Sequence, residues 1–255
     1  MSLQLNKLGD NHYIIDPNST GDHGTTATGS IQSAINSLPT SGGVIQLVGG
    51  TYYADSGLNI NKNNVMLLGS GKTVIILRNP LVLNGYRASV ENIEISVASG
   101  GHTAQITVGS SSEDTIIRRC VISNYYTGIL VNSNARKVRI IDNKFTGPSP
   151  SVYIGTKAIS VGPADWICIK NNTFTNAGST NVYLNQANKF ILSDNHFYNT
   201  HVQGARLVDI VDGGVSIISN NNFIRELNDQ SYSLVRISST VVLVVTSNNF
   251  FGGSK

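Results

Sequence analysis

Over its second half the chain alternates apolar and polar residues in short runs, with no recurrence at every third or fourth position. "GILVN", "VRIID", "AISVG", "WICIKN", "NVYLN", "FILSD", "LVDIV", "VSIISN", "LVRIS" and "VVLVVTS" are strand-sized and rich in β-branched residues, which predicts half-buried β-strands. Between pairs of them an Asn stands two residues ahead of a Phe. It does so at Asn143/Phe145, Asn172/Phe174, Asn195/Phe197, Asn221/Phe223 and Asn248/Phe250, the Asn residues falling 29, 23, 26 and 27 apart. A second short strand ends 11 or 12 residues before each Asn, at Val131, Val161, Leu184, Ile210 and Ile237. The unit is therefore strand, tight turn, strand, Asn turn, a short strand beginning at the aromatic, and a loop of variable length.

Strands this short with no helix between them do not build a βαβ sheet. Coils stacked at the inter-strand spacing of about 4.8 Å form parallel sheets directly, which is a β-solenoid. Asn suits the bend, because it tolerates left-handed backbone geometry and its amide both donates and accepts from coil to coil. The aromatic is expected inside, stacked on its equivalents. Upstream the pattern weakens: "TIIRRCVIS" puts Cys120 in the Asn place and Ile122 in the Phe place, and "ASVENIEIS" and "NVMLLGSGKTVIIL" read as earlier coils. The expectation is an all-β, single-domain chain over 1–255: an extension at 1–27, a helix at 28–39, and coils over 40–255, roughly eight in number.

That helix is "TGSIQSAINSLP". Ile31, Ala34, Ile35 and Leu38 share one helical face, Ser30 is the expected N-cap, and Pro39 with Gly42 and Gly43 ends it. A short amphipathic helix would plug the raw apolar end of a first coil.

The helix "IQSAINSL", the following "SGGVIQLVGGTYY" and the strand pair "VMLLGSGKTVIIL" resemble the opening of the pectate-lyase-like right-handed parallel β-helix superfamily, which includes polysaccharide lyases, glycosidases and phage tailspikes. With the Asn–Phe coils the resemblance covers about residues 30 to 255. It implies a right-handed parallel β-helix, and a substrate groove along the outer face of the first strand of each coil. One fold hosts many chemistries, so function must be argued from the site.

Strand alternation supplies the residues of that face. With Val131, Val161, Leu184, Ile210 and Ile237 inward, together with Ile129, Ile159, Val182, Val208 and Val235, the outward column reads Thr107, Leu130, Ser160, Tyr183, Asp209, Arg236. Tyr183 is a sugar platform candidate and Asp209 a catalytic carboxylate candidate. The adjoining loops add Glu226 as a second carboxylate, with Asp229 and His201 as substrate contacts. A pair of carboxylates about 5 to 9 Å apart would suit glycoside hydrolysis. For a lyase, the resemblance implies an Arg as the base, here Arg236. The family's calcium sites use clustered acids, whereas this face offers Asp209 alone, so no metal or other cofactor is expected. Asp209 and Arg236 also fit a plain cross-strand ion pair, which needs no function.

Composition narrows the partners. The net charge of +3 comes without a dense Lys/Arg tract, which argues against nucleic acid. No apolar run is long enough for a membrane span. "MSLQLNKLGDNHY" lacks signal-peptide features. Cys120 and Cys168 make no disulfide framework and read as buried thiols. "GSGKT" at Gly69 to Thr73 lacks the first Gly of a phosphate loop, Met66 holding its place, and reads as a strand-to-strand turn. Ile191, Ile217 and Val244, four residues before the repeating Asn, form an outward apolar stripe with Arg139 and Cys168 in line, and this points to a homo-oligomer. "NNFFGGSK" shows no cap for the last strands. Resemblance to tailspikes makes a trimer one form of that assembly. The expected function is a carbohydrate-engaging protein, extracellular or virion-associated, either polysaccharide-degrading (glycosidase or lyase) or tailspike-like in glycan binding. The alternative is a non-catalytic structural or receptor-binding subunit of a virion or surface assembly.

Overall fold

Alternating burial along short β-branched runs leaves each strand one face for a core, and the chain meets that demand by winding into a parallel β-solenoid of about seven turns, with a single helix among the described residues. The computed structural model describes residues 6–7, 11–16, 26–98, 104–147, 157–175, 180–199, 206–225, 234–238 and 240–252. Each coil contributes to three columns of strands. Thr127–Val131, Arg136–Ile141 and Lys144–Thr146 form one coil, and Lys157–Val161, Asp165–Lys170 and Thr173–Thr175 lie parallel to them in the next. The third strand starts one residue before the aromatic, not at it. Toward the C-terminus the strands Thr180–Ser193 and Arg206–Ser219 run through the corner that earlier coils break with a turn, joining the first two columns into one sheet.

At the third corner the Asn residues form a continuous buried ladder. The Oδ1 of Asn172 accepts from the backbone N of Asn143 at 2.9 Å and from its Nδ2 at 3.1 Å, and Asn195, Asn221 and Asn248 repeat this toward the C-terminus. Each Nδ2 also donates to a main-chain carbonyl of the preceding coil, as Asn172 does to Ile140 at 2.8 Å. Left-handed geometry falls on the residue before each ladder Asn: Asp142, Asn171, Asp194, Asn220 and Ser247 have φ between 53° and 59°. A side chain bonded along the stack must point inward from an ordinary backbone, so its neighbour makes the bend. Behind the ladder, Phe145, Phe174, Phe197, Phe223 and Phe250 stack with centroids 4.7 to 4.9 Å apart, the strand spacing itself.

The helix, α1 (Thr26–Ser37), begins before the expected start, so Ser30 lies within it and is not its N-cap. Ile31, Ala34, Ile35 and Leu38 are buried as the spacing requires. The Gln32 amide hydrogen-bonds the backbone of Asn59 in both senses, at 2.8 and 3.1 Å, and so satisfies the edge of the strand Leu58–Ile60 as another strand would. Lys62 donates to the carbonyls of Asn36 and Leu38 and closes the helix C-terminus. The segment read as an extension also holds strands. β1 (Asn6–Lys7) pairs antiparallel with β2 (His12–Ile15), which adds a parallel rung beside Gly43–Leu47. Four residues were too few to show a period in the sequence. "GSGKT" is a turn between the strands Val65–Gly69 and Thr73–Leu77, and both cysteines are free and buried.

Candidate functional site

The first strand column places its outward residues as the alternation required. Thr107, Leu130, Ser160, Tyr183, Asp209 and Arg236 are successive partners in register, while Ile129, Val131, Ile159, Val161, Val182, Leu184, Val208 and Ile210 are buried behind them. A second register row, Thr127, Lys157, Thr180 and Arg206, runs beside it, with Thr180 buried and the other three half-buried.

Asp209 is not an exposed groove acid. It is 3% exposed, because two guanidiniums close over it. Arg236 donates through Nε to Oδ1 and through Nη2 to Oδ2, both at 2.7 Å, and the Nη1 of Arg206 lies 3.4 Å from Oδ2. A fork held in two bonds on one carboxylate is the strong form of this pair, and the hydrogen bond to Asp209 raises the Arg236 pKa above its ordinary value. With both oxygens held in these bonds, the carboxylate is a poor nucleophile. Arg236, charged and clamped, is correspondingly ill placed as a base.

One coil back, the ammonium of Lys157 sits 3.7 Å from the centre of the Tyr183 ring. Burial lowers the Lys157 pKa, with the charge of Asp209 opposing it. Lys157, Arg206 and Arg236 thus set three cations against one carboxylate along three coil spacings. Sequence reasoning missed Lys157 and Arg206, which stand three residues before Ser160 and Asp209 at the start of their strands. Strict alternation would have turned them inward, three being an odd step; the consecutive buried pairs Ala158–Ile159 and Leu207–Val208 break the period and bring them out. Glu226, Asp229 and His201 lie outside the described residues. Among the described residues no three His, Cys, Asp or Glu side chains converge as a metal site would require, and no helix is long and apolar enough to cross a membrane.

The second column's outer face carries the apolar stripe. Arg139, Cys168, Ile191, Ile217 and Val244 are successive register partners; Ile191 and Ile217 are half-buried and Val244 is 48% exposed, with Val215 and Val242 exposed alongside.

No family model and no curated protein matches this sequence. Among solved structures, the chain is similar to ORF18 of Geobacillus virus E2 (16% identity, TM-score 0.48, covering 95% of this chain and 62% of that one). It is also similar to the Streptococcus pneumoniae surface protein and adhesin PfbA (13%, TM-score 0.46, 93% and 97%). A third similar structure is a mannuronic acid specific polysaccharide family 6 lyase from human gut microbiota (12%, TM-score 0.42, 94% and 82%). The chain thus spans less than two thirds of the viral protein's length.

Proposed function

We propose that the protein is a carbohydrate-binding β-helix, extracellular or virion-associated, whose first strand column recognises a glycan without cleaving it at Asp209. The observation that carries this is the double guanidinium clamp on Asp209 beside the Lys157–Tyr183 pair. The row offers an aromatic body, hydroxyl-binding polar groups and an excess of positive charge, a combination suited to a carboxylated sugar. The clamp removes the free carboxylate that hydrolysis needs. The test is calorimetric titration with galacturonate, glucuronate and neutral galactose oligomers, run beside assays for new reducing and unsaturated ends. Binding without turnover, weakened in Tyr183→Ala, is expected. Turnover that disappears in Asp209→Asn would restore the degrading enzyme and overturn this reading.

A second reading, a structural assembly subunit, is favoured by the exposed Val215, Val242 and Val244 on the second column's outer face. On it the chain forms a homo-oligomer, the trimer among the candidate states. Light scattering decides: a mass of one chain argues against it, and an oligomer that dissociates in Val244→Lys supports it.

A further inference from the structure

At the corner between the first and second columns, Asn64, Arg87, Asp114, Lys137 and Trp166 each stand two residues before the register partners Met66, Ser89, Ile116, Arg139 and Cys168. All five have left-handed backbone, φ between 51° and 60°. Lys189, two before Ile191, continues the column one coil further. Asn accepts this conformation readily, while a bulky residue fits it badly. The chain nonetheless places its sole tryptophan there, half-buried and outside the core.

Around the indole lies a cleft of about 410 Å³ lined by Asp114, Lys137, Arg139, Asp165, Trp166 and Lys189. Arg139 donates to Asp114, Lys137 to Glu113 at 2.8 Å, and Asp165 accepts from Asn188 at 3.1 Å. Lys189 has no acidic partner among the described residues, and no cation there lies over the Trp166 ring. The cleft therefore combines an aromatic surface without a cation stacked on it, an unpaired ammonium, and carboxylates whose remaining lone pairs can accept hydroxyl protons.

We infer that this cleft binds one carboxylated sugar unit. The indole packs against the ring's apolar face, Lys189 pairs with the carboxylate, and Asp114 and Asp165 accept from hydroxyls. Of the lining cations Lys137 is paired with Glu113 and Arg139 with Asp114, which leaves Lys189, beside the two acids Asp114 and Asp165, to meet one ligand carboxylate, as a single uronate supplies. A nucleoside diphosphate brings more negative charge against those two acids. The cleft is on the second column's face and stands independently of the Tyr183 row.

Because Trp166 is the chain's sole tryptophan, its fluorescence reads this cleft alone. Galacturonate and glucuronate trimers are titrated into the full chain, with galactotriose and uridine diphosphate as comparisons. A saturable emission change with at least one uronate trimer is expected. Exposed Lys189→Ala, with an unchanged circular dichroism spectrum, should weaken it about tenfold, the loss of one charge-assisted bond. Tyr183→Ala should leave it intact even where first-column binding is lost. No saturable change with either uronate, an equal response to galactotriose, or a response to uridine diphosphate alone would overturn the inference.

Discussion

Replacing Asn172 by Ala tests the ladder where it is most enclosed. Asn172 is 1% exposed. Its Oδ1 accepts from Asn143 N at 2.9 Å and Asn143 Nδ2 at 3.1 Å, and its Nδ2 donates to Ile140 O at 2.8 Å and Lys170 O at 3.0 Å. Truncation strands the buried backbone N–H of Asn143, which costs about 1 to 3 kcal/mol. The two bonds to carbonyls add about 1 kcal/mol each, for a total of about 3 to 5 kcal/mol. The Asn143 side chain is spared, since its Nδ2 keeps Ile117 O at 2.9 Å. From a half-buried position Asn248 accepts from Asn221 N and Nδ2 at 2.9 Å and donates to Ile218 O at 2.8 Å. Water can replace it there, so Asn248→Ala should cost about 1 kcal/mol. Equilibrium denaturation of both variants gives the difference, and native-state hydrogen exchange should show protection falling first at the Asn143 amide. Coils couple mainly to their neighbours, so the loss should spread outward from that rung. Two variants equal within about 0.5 kcal/mol, or unchanged protection at Asn143, would refute the view that enclosure sets each rung's value.

The ring stack should show the same gradient. Phe174→Ala, between rings 4.8 and 4.7 Å away, is expected to cost about 3 to 5 kcal/mol, and Phe250→Ala, 53% exposed, far less, both read by denaturant midpoint. Asp209→Asn should destabilise by only about 1 to 2 kcal/mol, since Arg206 and Arg236 keep partial access to water; a drop beyond about 4 kcal/mol would mean the pair is fully desolvated. Burial pushes the Cys120 thiol up to about 12. Its pKa being raised on folding, the protonated thiol's stabilisation is complete below the ordinary thiol range and fades as pH climbs from there toward about 12. Cys120 should accordingly resist alkylation at pH 8 until the chain is unfolded, as peptide mass analysis would show. A Cβ at Gly85 would lie 1.9 Å from the Lys62 carbonyl of the coil below, so Gly85→Ala should cost about 1 to 3 kcal/mol by thermal or chemical unfolding.

The strand alternation and the Asn–Phe spacing determined the fold, the inward faces and the ladder, because the two-residue period of a pleated strand is a local property. Local signals gave less at the ends of elements. Caps and bends depend on one or two residues, which is why Ser30 was misplaced and the left-handed turn fell on Asn171 instead of Asn172. The pairing of Tyr183, Asp209 and Arg236 was readable from equal strand offsets, whereas the burial of Asp209 required Arg206 to fold back across the same carboxylate. The Trp166 column was partly legible: Asp114, Lys137, Trp166 and Lys189 each stand six residues before Cys120, Asn143, Asn172 and Asn195, a count back from the Asn place like the one that aligned Arg139, Cys168 and Ile191. What only the tertiary structure decided is that Asp114, Lys137 and Trp166 take left-handed backbone there and that a cleft opens beside the indole, because the bend is fixed by inter-coil register, through hydrogen bonds between residues more than twenty positions apart.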